Sequence, residues 1–372
     1  MVSGRRMLAE LMELARIPSP VRRERAMAIA VMGKLRALDL HPRQDRAHKT
    51  FGGDTGNIIV HLPGSRRAPT VLLNAHLDTV PQAQPTPRLA GKYVISATDA
   101  PFGADDKVGV VAILEALRCV SEDGLEHPPL EIVFTVAEET GLLGARGLER
   151  SQLRADLGYA FDSGGRVGRV VTRAPSHDVL TVVITGRAAH AGVAPEKGVN
   201  AIAIAARAVA GMRLGRIDEE TTANIGVIEG GVATNVVPER VRIRGEARSH
   251  DERKLDRQLK HMLQRFHDAA CTAGASIEIE VEPQYRRFDL AADSPVLQVA
   301  RAAVKRIGRR IKLDTTGGGS DANIFNAHGI PTAIIGCAMD NPHSPSERME
   351  VAEFEVLGRL VVALIAAAAQ QT

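Results

Sequence analysis

Residues 71–78 read VLLNAHLD, an apolar run that closes with His76 and Asp78. Three further apolar runs close with acids or a histidine: EIVFTVAEE (131–139), LGYAFDSGG (157–165) and AIIGCAMDNPH (333–343). Short apolar runs are typical of buried strands, and open α/β sheets bind ligands beyond the carboxyl ends of their strands. The four runs therefore predict strands that bring distant acidic and histidine side chains to one edge of a sheet.

A fifth cluster, GADDK at residues 103–107, puts Asp105 at the start of a helical segment. Each cluster alone has an ordinary explanation, because an acid at a helix start is often a cap and a histidine at a strand end can be a turn residue. Five such clusters in one α/β segment are difficult to explain as independent accidents. Two histidines with several carboxylates suit a site for two divalent cations.

The residue types suggest a division of roles inside this site. His76 and Asp78 lie two positions apart on a strand and share a face, so His76 can bind a metal while Asp78 accepts its other ring N–H. A carboxylate has two oxygens, so Asp105 can bridge two cations. Neighbouring residues on an extended chain point to opposite sides, which predicts Glu139 as a ligand and Glu138 as the general base.

Three further positions carry weaker signals. Asp162 ends a strand before two glycines, and His343 lies in the loop PHSPSE (342–347). His190, in GRAAHAGVAP (186–195), is remote in sequence from the other candidates. It could donate to an oxyanion formed at a metal-polarised carbonyl, with an ordinary hairpin histidine as the alternative.

Composition excludes several classes of partner. The 372 residues are enough for two domains, and a hydrophobic content of 44% allows a sizeable core. Aromatic residues make up 3% of the chain and Trp is absent, so stacking on nucleic-acid bases is not expected. A net charge of +3 is too small to indicate a polyanionic partner.

Cysteine content and apolar segments bear on location. Three cysteines without a C-x-x-C pair predict reduced thiols in a cytoplasmic protein rather than disulfides or a thiolate zinc site. The segment MLAELMELAR (7–16) is amphipathic and acidic, unlike the core of a signal peptide. The apolar run VVALIAAAA (361–369) is too short to span a membrane, so no membrane partner is expected.

Secondary-structure patterns predict two domains. Strand, helix and strand alternate up to about residue 176, which favours an α/β domain with a mostly parallel mixed sheet between helices. From residue 179 the patterns follow the order β-α-β-β-α-β, which is typical of a small α+β domain. We therefore expect a discontinuous catalytic domain, residues 1–177 and 287–372, with an inserted domain at residues 178–286.

In order and combination, these motifs resemble those of the co-catalytic di-zinc metallopeptidases and amidohydrolases related to aminoacylase, carboxypeptidase G and succinyl-diaminopimelate desuccinylase. The peptidase T-like proteins are the most similar branch, and the resemblance covers nearly the whole chain. Its motifs are IPSP (17–20), HLDTV (76–80), GADDK (103–107), EETG (138–141), DSGG (162–165), the His190 stretch, NVVPE (235–239), RGEARSHD (244–251), GGGSDANIFN (317–326) and His343.

The resemblance implies a complete di-metal site. The ligands would be two residues for each ion and one shared residue: His76 with Asp162, Glu139 with His343, and the bridging Asp105. Glu138 would activate the metal-bridging water, and Asp78 would orient His76. A cis peptide bond would follow Asp105.

The resemblance also implies that the inserted domain is a lid and dimerisation domain, so a homodimer is expected. His190 would stabilise the oxyanion, in several relatives from the neighbouring subunit. The residues facing the substrate would be Asn235, Arg248, Gly318, Gly319 and Ser320. Arg248 or the loop amides suit a carboxylate.

The implied activity is metal-dependent hydrolysis of an amide bond in short peptides, as in a tripeptidase-like aminopeptidase, with two ions of Zn, or alternatively Mn or Co. An N-acyl or N-carbamoyl amino-acid amidohydrolase has the same ligand set and stays open. The segment GGSDA (318–322) departs from the GGTDG common in the peptidase T branch. A non-catalytic binding protein is disfavoured because Glu138 and His190 are present, and a Rossmann-type nucleotide binder would need a G-x-G-x-x-G run that residues 61–76 lack.

Overall fold

The structure, a computed structural model, describes residues 1–371. This part of the chain forms two compact units. The first comprises Met1–Arg173, Asp289–Thr316 and the residues from Ser320 onward. The second comprises Ala174–Phe288 and Gly317–Gly319.

Helices and strands alternate along much of the chain. The helices are α1 (Gly4–Leu14), α2 (Arg25–Arg36), α3 (Ala104–Asp123), α4 (Leu143–Arg146), α5 (Ala201–Ala210), α6 (Glu252–Ala273), α7 (Pro295–Arg306), α8 (Asp321–Ala327) and α9 (Val351–Ala368). The strands are β1 (Arg43–Gln44), β2 (Ile58–Leu62), β3 (Val71–His76), β4 (Pro87–Ala90), β5 (Tyr93–Ser96), β6 (Leu130–Thr135), β7 (Leu157–Ser163), β8 (Arg169–Ala174), β9 (Ser176–Thr185), β10 (Gly215–Arg216), β11 (Thr221–Gly230), β12 (Arg240–Ser249), β13 (Ser276–Tyr285), β14 (Phe288–Asp289), β15 (Lys312–Thr315), β16 (Thr332–Gly336), β17 (Met339–Asp340) and β18 (Arg348–Glu350). Short 3-10 helices lie at Ala47–Thr50, Arg150–Gln152 and Pro195–Lys197.

The large sheet of the first unit is mixed and mostly parallel at its centre. Its order is β1-β2-β6-β3-β7-β16-β8, with the two-residue β14 at the far edge and β15 beside β8. β3 runs parallel to both β6 and β7, and β16 runs parallel to β7. β2 and β8 pair antiparallel with β6 and β16. The predicted α/β class with a mostly parallel mixed sheet is therefore confirmed.

The central strands and α3 share one apolar core. All residues of β3 and β6 are buried, which is the pattern of parallel strands covered on both faces. α3 packs against α1, α9 and β3, and its Val108, Val111 and Leu114 are fully buried. Within the first turn of α3, Asp105 and Asp106 have non-helical backbone angles, and the peptide bond between them is cis, as the resemblance implied.

A second, smaller sheet of the first unit has four antiparallel strands in the order β17-β18-β5-β4. β4 and β5 form a hairpin, and β18 pairs with β5 on the other side. The strands β17 and β18 flank the loop that carries His343. This sheet therefore fixes both ends of the loop on which one expected ligand lies.

The second unit is a five-stranded antiparallel sheet with two helices, in the order β10-β11-β12-β9-β13. Its elements succeed one another as β9-α5-β10-β11-β12-α6-β13, so the predicted order is confirmed apart from the added two-residue β10. Asn200 caps α5 through the N–H of Ala203, and Asp251 caps α6 through the N–H of Lys254. The apolar faces of both helices pack with the sheet in a core that includes the fully buried Phe266.

The apolar helices of this chain, such as α9, pack in its hydrophobic core. Within the described residues, none combines the length and the apolar character that crossing a membrane requires.

Candidate metal centre

The expected site residues of the first unit follow four adjacent strands of the large sheet. β6, β3, β7 and β16 are consecutive neighbours, and parallel register sets His76 opposite Thr135 at the ends of β3 and β6. Asp162 is the penultimate residue of β7, while the Glu138 and Glu139 pair follows β6. Because parallel strands end at the same edge of a sheet, residues far apart in sequence meet there, as the apolar runs predicted.

Asp105 lies between two imidazole rings. Its Oδ1 is 3.2 Å from Nε2 of His76, and its Oδ2 is 3.2 Å from Nε2 of His343. The same His343 nitrogen is 2.8 Å from Oε1 of Glu139, and Nε2 of His76 is 3.9 Å from Oδ1 of Asp162. The five expected ligands are thus neighbours in this unit. Ligand atoms of His76, Asp105 and Glu139 all lie within 4.8 Å of one another.

Burial and like charges shape the acidity of this cluster. Burial raises the pKa of the Asp162 carboxyl well above its usual range, and the negative charge of Asp105 adds to the effect. Burial also disfavours the ionised form of Asp105, yet hydrogen bonds from His343 and His76 keep its pKa well below the usual range. Hydrogen bonds with Asp105 and Glu139 raise the pKa of His343 to about 10. A positive charge beside crowded carboxylates of this kind would favour their ionised form.

Divalent metal ions fit the donor atoms of this set. Nε2 of His76 and Nε2 of His343 each lie 3.2 Å from an oxygen of Asp105, and a proton on either ring nitrogen would lie in that contact. Metal binding displaces protons of this kind, because only neutral imidazole and ionised carboxylate act as ligands. Carboxylates with two imidazoles can accept Zn, Mn or Co.

Asp78 contacts both His76 and the backbone of the Glu138 and Glu139 pair. Its main-chain oxygen lies 3.0 Å from Nδ1 of His76, closer than its carboxylate Oδ1 at 3.5 Å. The carboxylate accepts the backbone N–H groups of Glu138 at 2.9 Å and Glu139 at 3.1 Å. The ring of His76 is therefore nearer the Asp78 carbonyl, and the Asp78 side chain holds the acidic pair.

Glu138 and Glu139 lie in a turn, whereas the sequence pattern predicted that they lie on an extended chain. β6 ends at Thr135, and Ala137 has a left-handed φ of 51°. Glu139 reaches His343, and Glu138 beside it is buried. Burial raises the pKa of the Glu138 carboxyl well above its usual range, and the charge of Asp162 is the second cause.

The sequence analysis did not identify three acids whose hydrogen bonds support the site residues. Glu347 accepts the N–H groups of Gly103 at 2.8 Å and Ala104 at 3.2 Å, and Asp106 accepts the N–H of His76 at 3.2 Å. Asp321 accepts the hydroxyl of Thr135. All three acids stand inside quoted stretches of sequence, which was the available signal, but a motif does not reveal which backbone groups a side chain will reach.

The expected residues of the second unit form two groups. Asn235 accepts the N–H of Ala191 through its main-chain oxygen at 2.9 Å, and the exposed His190 is bridged to Val236. These contacts bring the His190 and Asn235 segments side by side.

Arg248 and Gly319 meet at Tyr285. Arg248 donates to both carboxylate oxygens of Glu246 at 3.0 Å and to the Tyr285 hydroxyl at 3.3 Å. A Cβ on Gly319 would lie 2.2 Å from Cζ of Tyr285, so any larger residue would displace the Tyr285 ring. Gly318 precedes it in the same unit. Ser320 belongs to the first unit, where its buried hydroxyl caps α8 by accepting the N–H of Ala322 at 3.2 Å.

The chain belongs to the peptidase family M20/M25/M40, whose model matches residues 72–367, and this family makes it a hydrolase. The predicted resemblance is confirmed. The chain is 40% identical over 371 residues to the uncharacterized protein YqjE of Bacillus subtilis, covering 100% of both.

Two solved structures are similar over the full length of the chain. The aminopeptidase PepT of Bacillus cereus is 39% identical with a TM-score of 0.88, covering 99% of this chain and 100% of that chain. A tripeptidase of Staphylococcus aureus is 36% identical with a TM-score of 0.93, covering 100% of both.

Proposed function

We propose that this chain is a metal-dependent aminopeptidase of short peptides, with a preference of the tripeptidase type. One observation carries the proposal: the two oxygens of Asp105 each lie 3.2 Å from a different imidazole, those of His76 and His343. A carboxylate with one ligand partner on each side is suited to bridge two cations. The aminopeptidase and tripeptidase named above support the choice of substrate.

In this proposal, five residues would hold two divalent ions, Zn or alternatively Mn or Co: His76 with Asp162, Glu139 with His343, and Asp105 shared between them. Bound ions of this kind lower the pKa of a water molecule and polarise the carbonyl to be attacked. Asp78 and Asp106 would support this set through His76. The main-chain oxygen of Asp78 lies 3.0 Å from Nδ1 of His76, and Asp106 accepts the N–H of His76 at 3.2 Å.

Glu138 is the proposed general base. Its carboxyl is buried, and burial raises its pKa, so it accepts a proton more readily than an ordinary glutamate does. It would accept the proton of the attacking water and deliver it to the leaving amine. His190 would donate to the oxygen that becomes negatively charged during the attack.

Substrate recognition is assigned to residues of the second unit and to the loop at 317–320. Arg248 keeps one guanidinium nitrogen towards Tyr285 while Glu246 occupies the other two. A guanidinium beside a hydroxyl suits the carboxylate of a short peptide. Asn235, Gly318, Gly319 and Ser320 complete the proposed substrate-binding set.

We propose that residues 178–286 act as a lid and dimerisation domain and that the protein is a cytoplasmic homodimer. The edge of β11 supports the dimer. It pairs with β12 on one side, while β10 covers only Thr222 and Ala223 on the other. Ile228 is 52% exposed, and an exposed apolar edge strand favours pairing with another chain. Three free cysteines support a reducing compartment.

A hydrolysis screen of the metal-stripped protein tests this function. Di-, tri- and tetrapeptides would be compared with N-acetyl, N-succinyl and N-carbamoyl amino acids, with and without added Zn, Mn or Co, by mass spectrometry. We expect metal-dependent release of the N-terminal residue, fastest from tripeptides. Glu138→Gln should lower turnover about 100- to 10,000-fold while metal content stays unchanged.

Two outcomes would contradict the proposal in different ways. Cleavage confined to N-acyl or N-carbamoyl compounds would assign the same site to an amidohydrolase. Full turnover by Glu138→Gln would remove Glu138 from the role of base.

A further inference from the structure

The turn that carries the acidic pair is held through its backbone. The N–H groups of residues 136–139 each donate to a side chain from an earlier part of the chain. Asn57 Oδ1 accepts that of Val136 at 3.1 Å, and Glu24 Oε1 accepts that of Ala137 at 3.1 Å. The two oxygens of Asp78 accept the remaining two. Side-chain acceptors thus fix four successive backbone groups of this turn.

Glu24, like Asn57, lies outside the sequence motifs of the site. It is fully buried and stands directly before α2. The same Oε1 accepts the N–H of Arg22 at 2.7 Å, whereas Oε2 is buried without a hydrogen-bond partner among residues 1–371. The nearby N–H of Thr79 donates to Ser19 at 2.9 Å. The segment at 19–24 therefore joins the end of β3 to the turn after β6.

The hydrogen bond that the Ala137 N–H donates lies at an unusual backbone conformation. Ala137 adopts a left-handed φ of 51°, a region that residues with a Cβ rarely occupy without help from their surroundings. Its successor in the chain is Glu138. A rotation at Ala137 would therefore move the Glu138 carboxylate directly.

We propose that Glu24 is a positioning residue for Glu138, an inference that rests on the proposed role of Glu138 as general base. Glu24 acts through the N–H of Ala137 and belongs to neither the proposed ligand set nor the proposed substrate-binding set. A displacement of about 1 Å in a reacting group can lower a rate about 100-fold. Loss of the Glu24 acceptor should therefore reduce kcat more than it reduces folding or metal binding.

The test compares Glu24→Ala, Glu24→Asp and Glu24→Gln in the metal-loaded enzyme. Glutamine retains an oxygen at the Oε1 position, and its amide replaces an oxygen that accepts no hydrogen bond. Aspartate keeps the charge but is one methylene shorter. We expect kcat to fall at least about tenfold in the alanine and aspartate variants, with KM and metal content within about twofold of the parent, and glutamine to retain at least about half of kcat.

Glu131 offers a matched control. It is another fully buried carboxylate that accepts backbone N–H groups, those of Arg154 at 3.0 Å and Ala155 at 3.1 Å. Glu131→Ala should lower the melting temperature while the kcat of the folded fraction is unchanged. A merely structural role for Glu24 would give the same result, so this comparison separates stability from positioning.

The outcomes distinguish this inference from the function on which it rests. If Glu138→Gln is inactive but Glu24→Ala keeps kcat within about twofold of the parent, the positioning role is wrong and the base stands. If Glu138→Gln is fully active, the proposed base itself is wrong. Should Glu24→Ala fail to fold, equal kcat values for the aspartate and glutamine variants would overturn the positioning role.

Discussion

Glu347 accepts the backbone N–H of Gly103 at 2.8 Å, across 244 residues of sequence. The same oxygen accepts the N–H of Ala104 at 3.2 Å. These two donors precede Asp105 directly, and Glu347 follows His343 by four residues. One carboxylate therefore connects the loop of one proposed ligand to the turn of another.

Replacing Glu347 should weaken both the fold and the metal site. Glu347→Ala leaves two buried N–H donors without their acceptor, which costs about 1–3 kcal/mol for each buried group left unpaired. We expect a lower urea midpoint and a reduced metal content by elemental analysis. Glu350→Ala is the control, since it removes only an ion pair with the exposed Lys92 and should change stability by less than about 1 kcal/mol. Unchanged metal content in Glu347→Ala would exclude a role in holding the Asp105 turn.

Removing His343 should empty one ion site and spare the other. His343 contacts Glu139 and Asp105, whereas His76 lies on the other side of Asp105. We expect His343→Ala to bind about half the metal of the parent and to lose at least about 100-fold in kcat/KM, the upper range for residues that only support a ligand. The exposed His41 supplies the control, and His41→Ala should retain both metal and activity. Full metal occupancy in His343→Ala would contradict its assignment as a ligand.

The sequence predicts the strands that carry the site residues better than it predicts the acids that hold those residues in place. Apolar runs ending in acids or histidines predicted β3, β6, β7 and β16, because a short stretch of sequence shows both the buried strand and the end at which its polar residues lie. The supporting acids Glu24 and Glu347 gave no comparable signal. Their partners are backbone N–H groups 113 and 244 residues away, and any residue except proline supplies such a donor. Only the packed chain determines which ones they reach.

The same limit explains the correction at the acidic pair. The run EIVFTVAEE is apolar up to Ala137, so the pattern predicts a strand that continues to the acids. The strand instead ends at Thr135, because Asn57, Glu24 and Asp78 accept the N–H groups that follow. Tertiary hydrogen bonds outweigh the local preference for an extended chain there.

A charge on the edge of β11 should separate the proposed dimer. Ile228 is 52% exposed on that strand, and an aspartate there would put a charge on the edge, which opposes edge-to-edge pairing. We expect Ile228→Asp to elute at half the parent mass in size-exclusion chromatography with light scattering. Leu89→Asp is the control, because Leu89 is 53% exposed but lies on β4 of the first unit. A parent protein that is already monomeric would contradict the dimer itself.

Glu246 should make the second unit sensitive to acid. Hydrogen bonding with His177, together with that from Arg248, lowers the pKa of Glu246 from 4.5 to about 2. A carboxyl whose pKa is lower in the folded state stabilises the fold at pH values above its unfolded pKa. This contribution is complete above about pH 4.5 and is lost as the pH falls through about 2, because both states then bind the proton.

Glu246→Gln cannot titrate, so its urea midpoint should fall less than that of the parent between pH 5.5 and pH 2.5, about one unit above and two units below the unfolded pKa. Other carboxyls titrate equally in both proteins, so the difference between the two midpoints isolates Glu246. Glu278→Gln changes an exposed acid on β13 of the same sheet and should follow the parent at both pH values. Identical acid sensitivity of the parent and Glu246→Gln would mean that His177 and Arg248 do not favour the ionised form of Glu246 in solution.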